Sequence, residues 1–118
     1  MYEYSANVLR IVDGDTIDVM LDLGFDTWVR KRIRLYGIDC PETRTRDKKE
    51  KKAGLKAKEF TSQMCTDFNM KCTIKSKGLG KFGRVIGEVM FYKNSEEFYC
   101  LNDMLLDKGM ATPFMEDI

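Results

Sequence analysis

Four short segments of the chain hold acids and arginines where turns and strand ends would present them. The first is Asp13-Gly14-Asp15-Thr16, two carboxylates around a glycine, which also reads as an ordinary hairpin turn. In the second, Arg34-Leu35-Tyr36-Gly37-Ile38-Asp39-Cys40-Pro41-Glu42-Thr43, an arginine leaves a strand and two acids flank a proline that limits backbone freedom. The third, Lys81-Phe82-Gly83-Arg84, is a basic and aromatic turn entering a strand, and the fourth, Leu101–Ala111, is a short amphipathic helix. These residue types have one economical joint use. Asp15 and Asp39 are hard oxygen ligands, suited to Ca²⁺ or Mg²⁺ rather than to a soft metal. Arg34 and Arg84 can bind a phosphodiester and the extra negative charge of its pentacovalent transition state. Glu42 remains as a carboxylate able to take a proton from water. A cation, two guanidiniums and one acid make a phosphodiester-cleaving site.

The absence of histidine from the chain narrows the choice. It removes Ser-His-Asp and Cys-His catalysis, imidazole acid–base pairs and imidazole metal sites. Cys40, Cys65, Cys72 and Cys100 show no C-x-x-C spacing, so they read as reduced, partly buried thiols and not as a zinc site.

The elements that must position these segments follow from periodicity. Ala6–Val12 reads as a first strand. Thr16–Leu23 alternates Ile17, Val19, Leu21 and Leu23 against Asp18, Met20 and Asp22, and Trp28–Tyr36 makes a third strand of the meander. Gly37–Lys52 is irregular and carries a basic run. Ala53–Met70 turns helical, with Ala53, Ala57, Phe60, Met64 and Phe68 as one apolar stripe. Cys72–Lys77 and Arg84–Tyr92 are the fourth and fifth strands, joined by a glycine-rich turn. A short helix fits Leu101–Lys108, with Gly109 as its stop. The expectation is a single α+β, mainly β domain over residues 1–118: a five-stranded antiparallel OB-fold barrel with a helix between strands 3 and 4 and a short helix after strand 5.

With 118 residues, 43% hydrophobic and 33% charged, the composition is that of one globular domain. No apolar run approaches the ~18 residues of a membrane span, and the start lacks a basic and apolar leader. The expectation is therefore a cytoplasmic protein with no membrane partner. Net charge is 20 − 19 = +1, yet Arg44–Lys58 is strongly basic and the chain after Arg84 acidic. Such blocks suit a solvated face as well as an anion-binding surface.

In these four segments the chain resembles the staphylococcal nuclease-like (thermonuclease) family, from about Val8 to about Pro113. The carriers are Val12-Asp13-Gly14-Asp15-Thr16, the Arg34…Asp39-Cys40-Pro41-Glu42-Thr43 segment, Lys81-Phe82-Gly83-Arg84 and the Leu101–Ala111 helix. The resemblance implies an OB barrel with helices and a calcium-dependent nuclease acting on DNA and RNA. It implies Asp15 and Asp39 as calcium ligands, with Cys40 ligating through its main-chain carbonyl. It implies Glu42 as general base or water-positioning acid, Arg34 and Arg84 as catalytic phosphate-binding arginines, and products with 3′-phosphate ends. Lys48, Lys49 and Lys81 would then guide a preferably single-stranded nucleic acid, with Phe82 and Phe114 offering rings to its bases. Three departures stand out: Cys40 replaces a frequent threonine, Phe82 replaces a tyrosine, and Phe114 is the aromatic available where the family continues with tyrosines. Two other readings account for part of the pattern. One is a noncatalytic OB module binding single strands or a protein, and the other is a calcium-binding structural domain, which leaves the arginines without a purpose.

Overall fold

Period-two alternation builds the barrel wall. The computed structural model describes residues 2–115. Its strands are β1 (Glu3–Asp13), β2 (Thr16–Asp22), β3 (Trp28–Leu35), β4 (Ile38–Asp39), β5 (Lys71–Leu79), β6 (Val85–Tyr92), β7 (Phe98–Cys100) and β8 (Thr112–Pro113). Two helices, α1 (Lys48–Asp67) and α2 (Leu101–Asp107), complete it. Ala6 and Val8, Ile17, Val19 and Leu21, Ile33 and Leu35, Ile74, and Val89 and Phe91 bring the inward positions of five strands into one core. Leu23, expected to continue the β2 stripe, lies past the strand end and is exposed.

The five long strands run in the order β3-β2-β1-β5-β6, each antiparallel to its neighbour, and β3 closes on β6 from Ile33↔Val85 to Leu35↔Gly87. That closing seam is parallel, so the OB-type barrel is mixed, not antiparallel throughout. Alternation decides which face of a strand is buried and is blind to the direction of its partner. Three short strands escape periodicity altogether: β7 extends the sheet beside β6, and β4 and β8 form a two-residue ladder.

Helix α1 begins at Lys48 and not at Ala53. Asp47 caps it, accepting from the Lys49 and Glu50 amides at 3.0 and 3.4 Å. Its buried positions are Gly54, Ala57, Thr61 and Cys65, with Phe60, Met64 and Phe68 half-buried, while Ala53 is exposed. Gly54 is required because a Cβ there would meet the Glu42 carbonyl oxygen at 2.6 Å. Gly14 is equally tight, as its Cβ would lie 2.7 Å from that of Ala57, and Thr61 donates to the Gly14 carbonyl at 2.7 Å. The helix therefore packs directly on the two turns that carry Asp15 and Glu42. On the other side α2 buries Leu101 and Leu105, and its Asn102 is a buried staple. The Asn102 amide accepts from the Val89 N–H at 3.0 Å and donates to the carbonyls of Tyr36 and Gly87. Gly109, at φ +70°, takes up the left-handed conformation that stops the helix. No helix among the described residues is long and apolar enough to cross a membrane.

Candidate active site

Asp15 closes the turn just before β2 and is 7% exposed. One of its carboxylate oxygens accepts from the Thr16 hydroxyl at 3.0 Å, and the other from the Cys40 amide at 2.9 Å. Arg34, the penultimate residue of β3, is 8% exposed and places Nη1 3.3 Å from Asp15. Its Nη2 donates to Asp39 at 3.2 Å and its Nη1 to the Leu35 carbonyl at 3.1 Å. One guanidinium thus draws together two carboxylates that are 24 positions apart in the chain. Asp39 keeps half its side chain in solvent (54% exposed), so it is free to take a further ligand.

Two hollows of opposite character flank this assembly. A cleft of 380 Å³ is lined by Asp39, Cys40, Pro41, Glu42 and Glu50, with Gly109–Thr112 opposite. Its three carboxylates make it acidic, and Glu42 stands exposed within it. A groove of 690 Å³ is lined by Arg30, Lys31, Arg32, Arg44 and Arg84, with Phe82 at its edge. Asp15 and Thr16 join the two: Asp15 holds Cys40 of the acidic cleft, and Thr16 lines the basic groove.

The predicted site residues therefore divide. Asp15, Arg34, Asp39 and Cys40 are in direct contact, and Glu42 shares the cleft of Asp39 and Cys40. Arg84 belongs to the basic groove, where its Nε–H is buried with no hydrogen-bond partner. An orphaned donor costs roughly 1–3 kcal/mol and is relieved by an incoming anion. Phe82 sits at φ +61° with its side chain fully in solvent (97% exposed), a conformation rare for a bulky residue and one that holds the ring outward. Lys81 is exposed in the same 3₁₀ turn. Lys48 and Lys49 are also exposed, on the first turn of α1 and not in a loop, and they line neither hollow. Phe114 is half in solvent (47% exposed), and its ring centroid lies 5.7 Å from the Arg34 guanidinium carbon; its backbone N–H donates to the Gly37 carbonyl.

Sequence reasoning missed several residues that hold the site. Thr16 orients Asp15, Thr43 donates to Asp13 at 2.6 Å, and Asp18 clamps Arg32. Threonine beside or near an acid was the available signal. The Arg32 hydrogen bond beside Asp18 holds that carboxyl below its usual value.

No three acidic or thiol side chains among the described residues form a ready-made metal cluster. The donors nevertheless suit a hard cation that keeps most of its shell as water or substrate: two carboxylates, and no imidazole. Burial and then the Asp15 charge push the Cys40 thiol up to about 12.

Similarity to known proteins covers part of this site, from Arg34 through Asp39, Cys40 and Glu42 to Arg84. A family model described as "Staphylococcal nuclease homologue" matches residues 32–117. The chain is 27% identical to a thermonuclease of Staphylococcus hyicus over 92% of its own length and 59% of that protein. It is 33% identical to a thermonuclease of Staphylococcus intermedius over 88% of its length and 56% of the relative. Protein ParB of Escherichia coli is 33% identical over 74% of the chain and 42% of that protein. The chain thus spans roughly half the length of these relatives. From the family match, across a mixed five-stranded barrel, we conclude that the chain belongs to the staphylococcal nuclease homologue family.

Proposed function

We propose that this domain is a calcium-dependent nuclease that hydrolyses phosphodiester bonds in single-stranded DNA or RNA and leaves 3′-phosphate ends. The observation that carries the reading is the convergence of Asp15 and Asp39 on Arg34, next to the cleft that holds Glu42. Calcium and the 3′-phosphate product follow from the family resemblance alone, while the relatives named thermonuclease support a nuclease.

Asp15, Asp39 and the Cys40 carbonyl would hold the cation. When bound, it would supply Lewis-acid polarisation of the phosphoryl group. Glu42, exposed in the acidic cleft, takes a proton from the attacking water. Arg34 has five N–H donors and three protein partners, so it retains donors for a phosphoryl oxygen. Its ties to Asp15, Asp39 and the Phe114 ring fix the guanidinium before substrate arrives, which removes a reorganisation cost from the reaction. Arg84 satisfies its orphaned Nε–H by bonding the phosphate from the groove side. Lys48, Lys49 and Lys81 contribute longer-range attraction.

End-labelled single-stranded DNA and RNA, incubated with the protein in calcium and in excess chelator, test the reading. Cleavage that needs calcium and yields 3′-phosphate ends is expected. Binding of the strand without cleavage under any divalent cation would instead favour a noncatalytic OB module.

A further inference from the structure

The basic groove extends well beyond the residues assigned to catalysis. Strand β3 carries Arg30, Arg32 and Arg34 at alternate positions, hence on one face, at steps of about 6.7 Å. That step is close to the through-space distance between neighbouring phosphates along a polynucleotide strand, so a row of this kind can meet successive phosphates. Arg34 is the buried end of the row, while the Arg32 and Arg30 side chains are 46% and 65% exposed.

The row is built and not merely solvated. Asp18, whose side chain is 5% exposed, lies opposite Arg32 in the β2–β3 register. It accepts from Arg32 Nε and Nη2 at 2.8 and 3.2 Å and lies 3.6 Å from Arg30. A single carboxylate so orients two guanidiniums while cancelling only one charge. Lys31, Arg44 and Arg84 add three cations to the lining. The one carboxylate there, Asp13, already accepts from Thr43. Like charges collected in a concave surface repel one another until an anion enters, and the outward Phe82 ring offers such an anion a stacking face.

We propose that this groove is a track for single-stranded polynucleotide flanking the scissile phosphate. Arg32 and Arg30 take successive phosphates outward from Arg34, Arg44 adds a further cation to the lining, and Phe82 stacks on a base. Asp18 is a positioning residue for the two arginines. The proposal deepens the nuclease reading, and its direction along the strand rests on that reading.

The test measures binding and cleavage separately on the full chain. A fluorescein-labelled thymidine 20-mer is titrated by anisotropy in chelator across a salt series, with wild type, the double variant Arg30→Gln/Arg44→Gln and the charge-keeping pair Arg30→Lys/Arg44→Lys. Both positions are exposed and Arg32 still satisfies Asp18, so the variants should melt as wild type does. At about 0.7 per phosphate contact, the slope of log affinity against log salt should fall by about 1.4 in the glutamine variant and hold in the lysine variant. An unchanged slope in the glutamine variant overturns the track. So does an equal fall in both variants, and so does a duplex that binds as tightly as the single strand. In calcium, wild type that binds with the stated salt dependence but does not cleave would overturn the nuclease reading and keep the track. Normal cleavage with an unchanged slope would do the reverse.

Discussion

The acidic cleft and the basic groove sit on the same barrel rim, yet they are held in place by different means. Carboxylates of the cleft come from three different short pieces of chain: Asp39 from the two-residue strand β4, Glu42 from the loop after Pro41, and the half-buried Glu50 from the first turn of α1. Three of the five cations of the groove come from one strand, and two of them, Arg30 and Arg32, are clamped by the buried Asp18. The arrangement would suit the tasks proposed for it: an exposed Glu42 can meet an attacking water, whereas a phosphate chain is best met by donors already fixed at its repeat. Net charge of +1 conceals this separation, since the two fields nearly cancel in the sum.

The sharpest way to break the comparison is to remove one acid and one base across the divide. Glu42→Gln leaves the fold alone, because Glu42 is exposed, and should lower kcat by about 10²–10⁴-fold with little change in strand affinity. Arg84→Ala should lower kcat by about 10²–10³-fold, the effect of removing a donor to transition-state charge. Single-turnover rates at saturating strand read both. Rates near wild type for either variant would remove that residue from the chemistry.

Next in size is the contrast between the two sets of cations. Lys48, Lys49, Lys51 and Lys52 lie on the exposed first turns of α1, and none of them makes an ion pair among the described residues. Replacing all four by glutamine should flatten the salt slope of binding by less than the loss of Arg30 and Arg44 does, although twice as many charges are removed. A larger fall would make the helix the principal guide of the strand. The smallest effect concerns Asp18. Arg32 holds its carboxyl below the ordinary 3.8, so its contribution is present above about pH 4 and is lost as pH falls through the folded value. Asp18→Asn should cost roughly 1 kcal/mol at pH 7, since solvent screens the half-exposed arginines, and thermal melts of variant and wild type should converge toward pH 3. Equal melting temperatures at pH 7 would show that the clamp is not stabilising.

Residue chemistry was more legible in the sequence than the contacts that organise it. Ile17, Val19 and Leu21 announce β2, and the Asp13-Gly14-Asp15 turn follows from its residues alone. The start of α1 was hidden because four lysines in its first turns oppose the helix dipole and read as loop. Asp47 with Glu50 three residues later was the overlooked sign. The parallel seam between β3 and β6, and the Asp18↔Arg32 pair, depend on register between strands, which local periodicity does not encode. Phe114 was visible as an aromatic, but its seat on Arg34 depends on the two-residue β4–β8 ladder, too short to leave a pattern.

The central claim is that Asp15, Arg34 and Asp39 form a catalytic, cation-dependent centre. Asp39→Asn tests it most directly, since the side chain is half in solvent and its loss leaves the Asp15–Arg34 pair in place. The measurement is single-turnover cleavage of a saturating single-stranded 20-mer across a calcium titration, for wild type and this variant. The account predicts that the variant requires at least 10–100-fold more calcium to reach half its maximal rate, the range that even outer-sphere metal partners command, and that chelator abolishes cleavage in both. Superimposable calcium curves, or cleavage that persists in chelator, would contradict it.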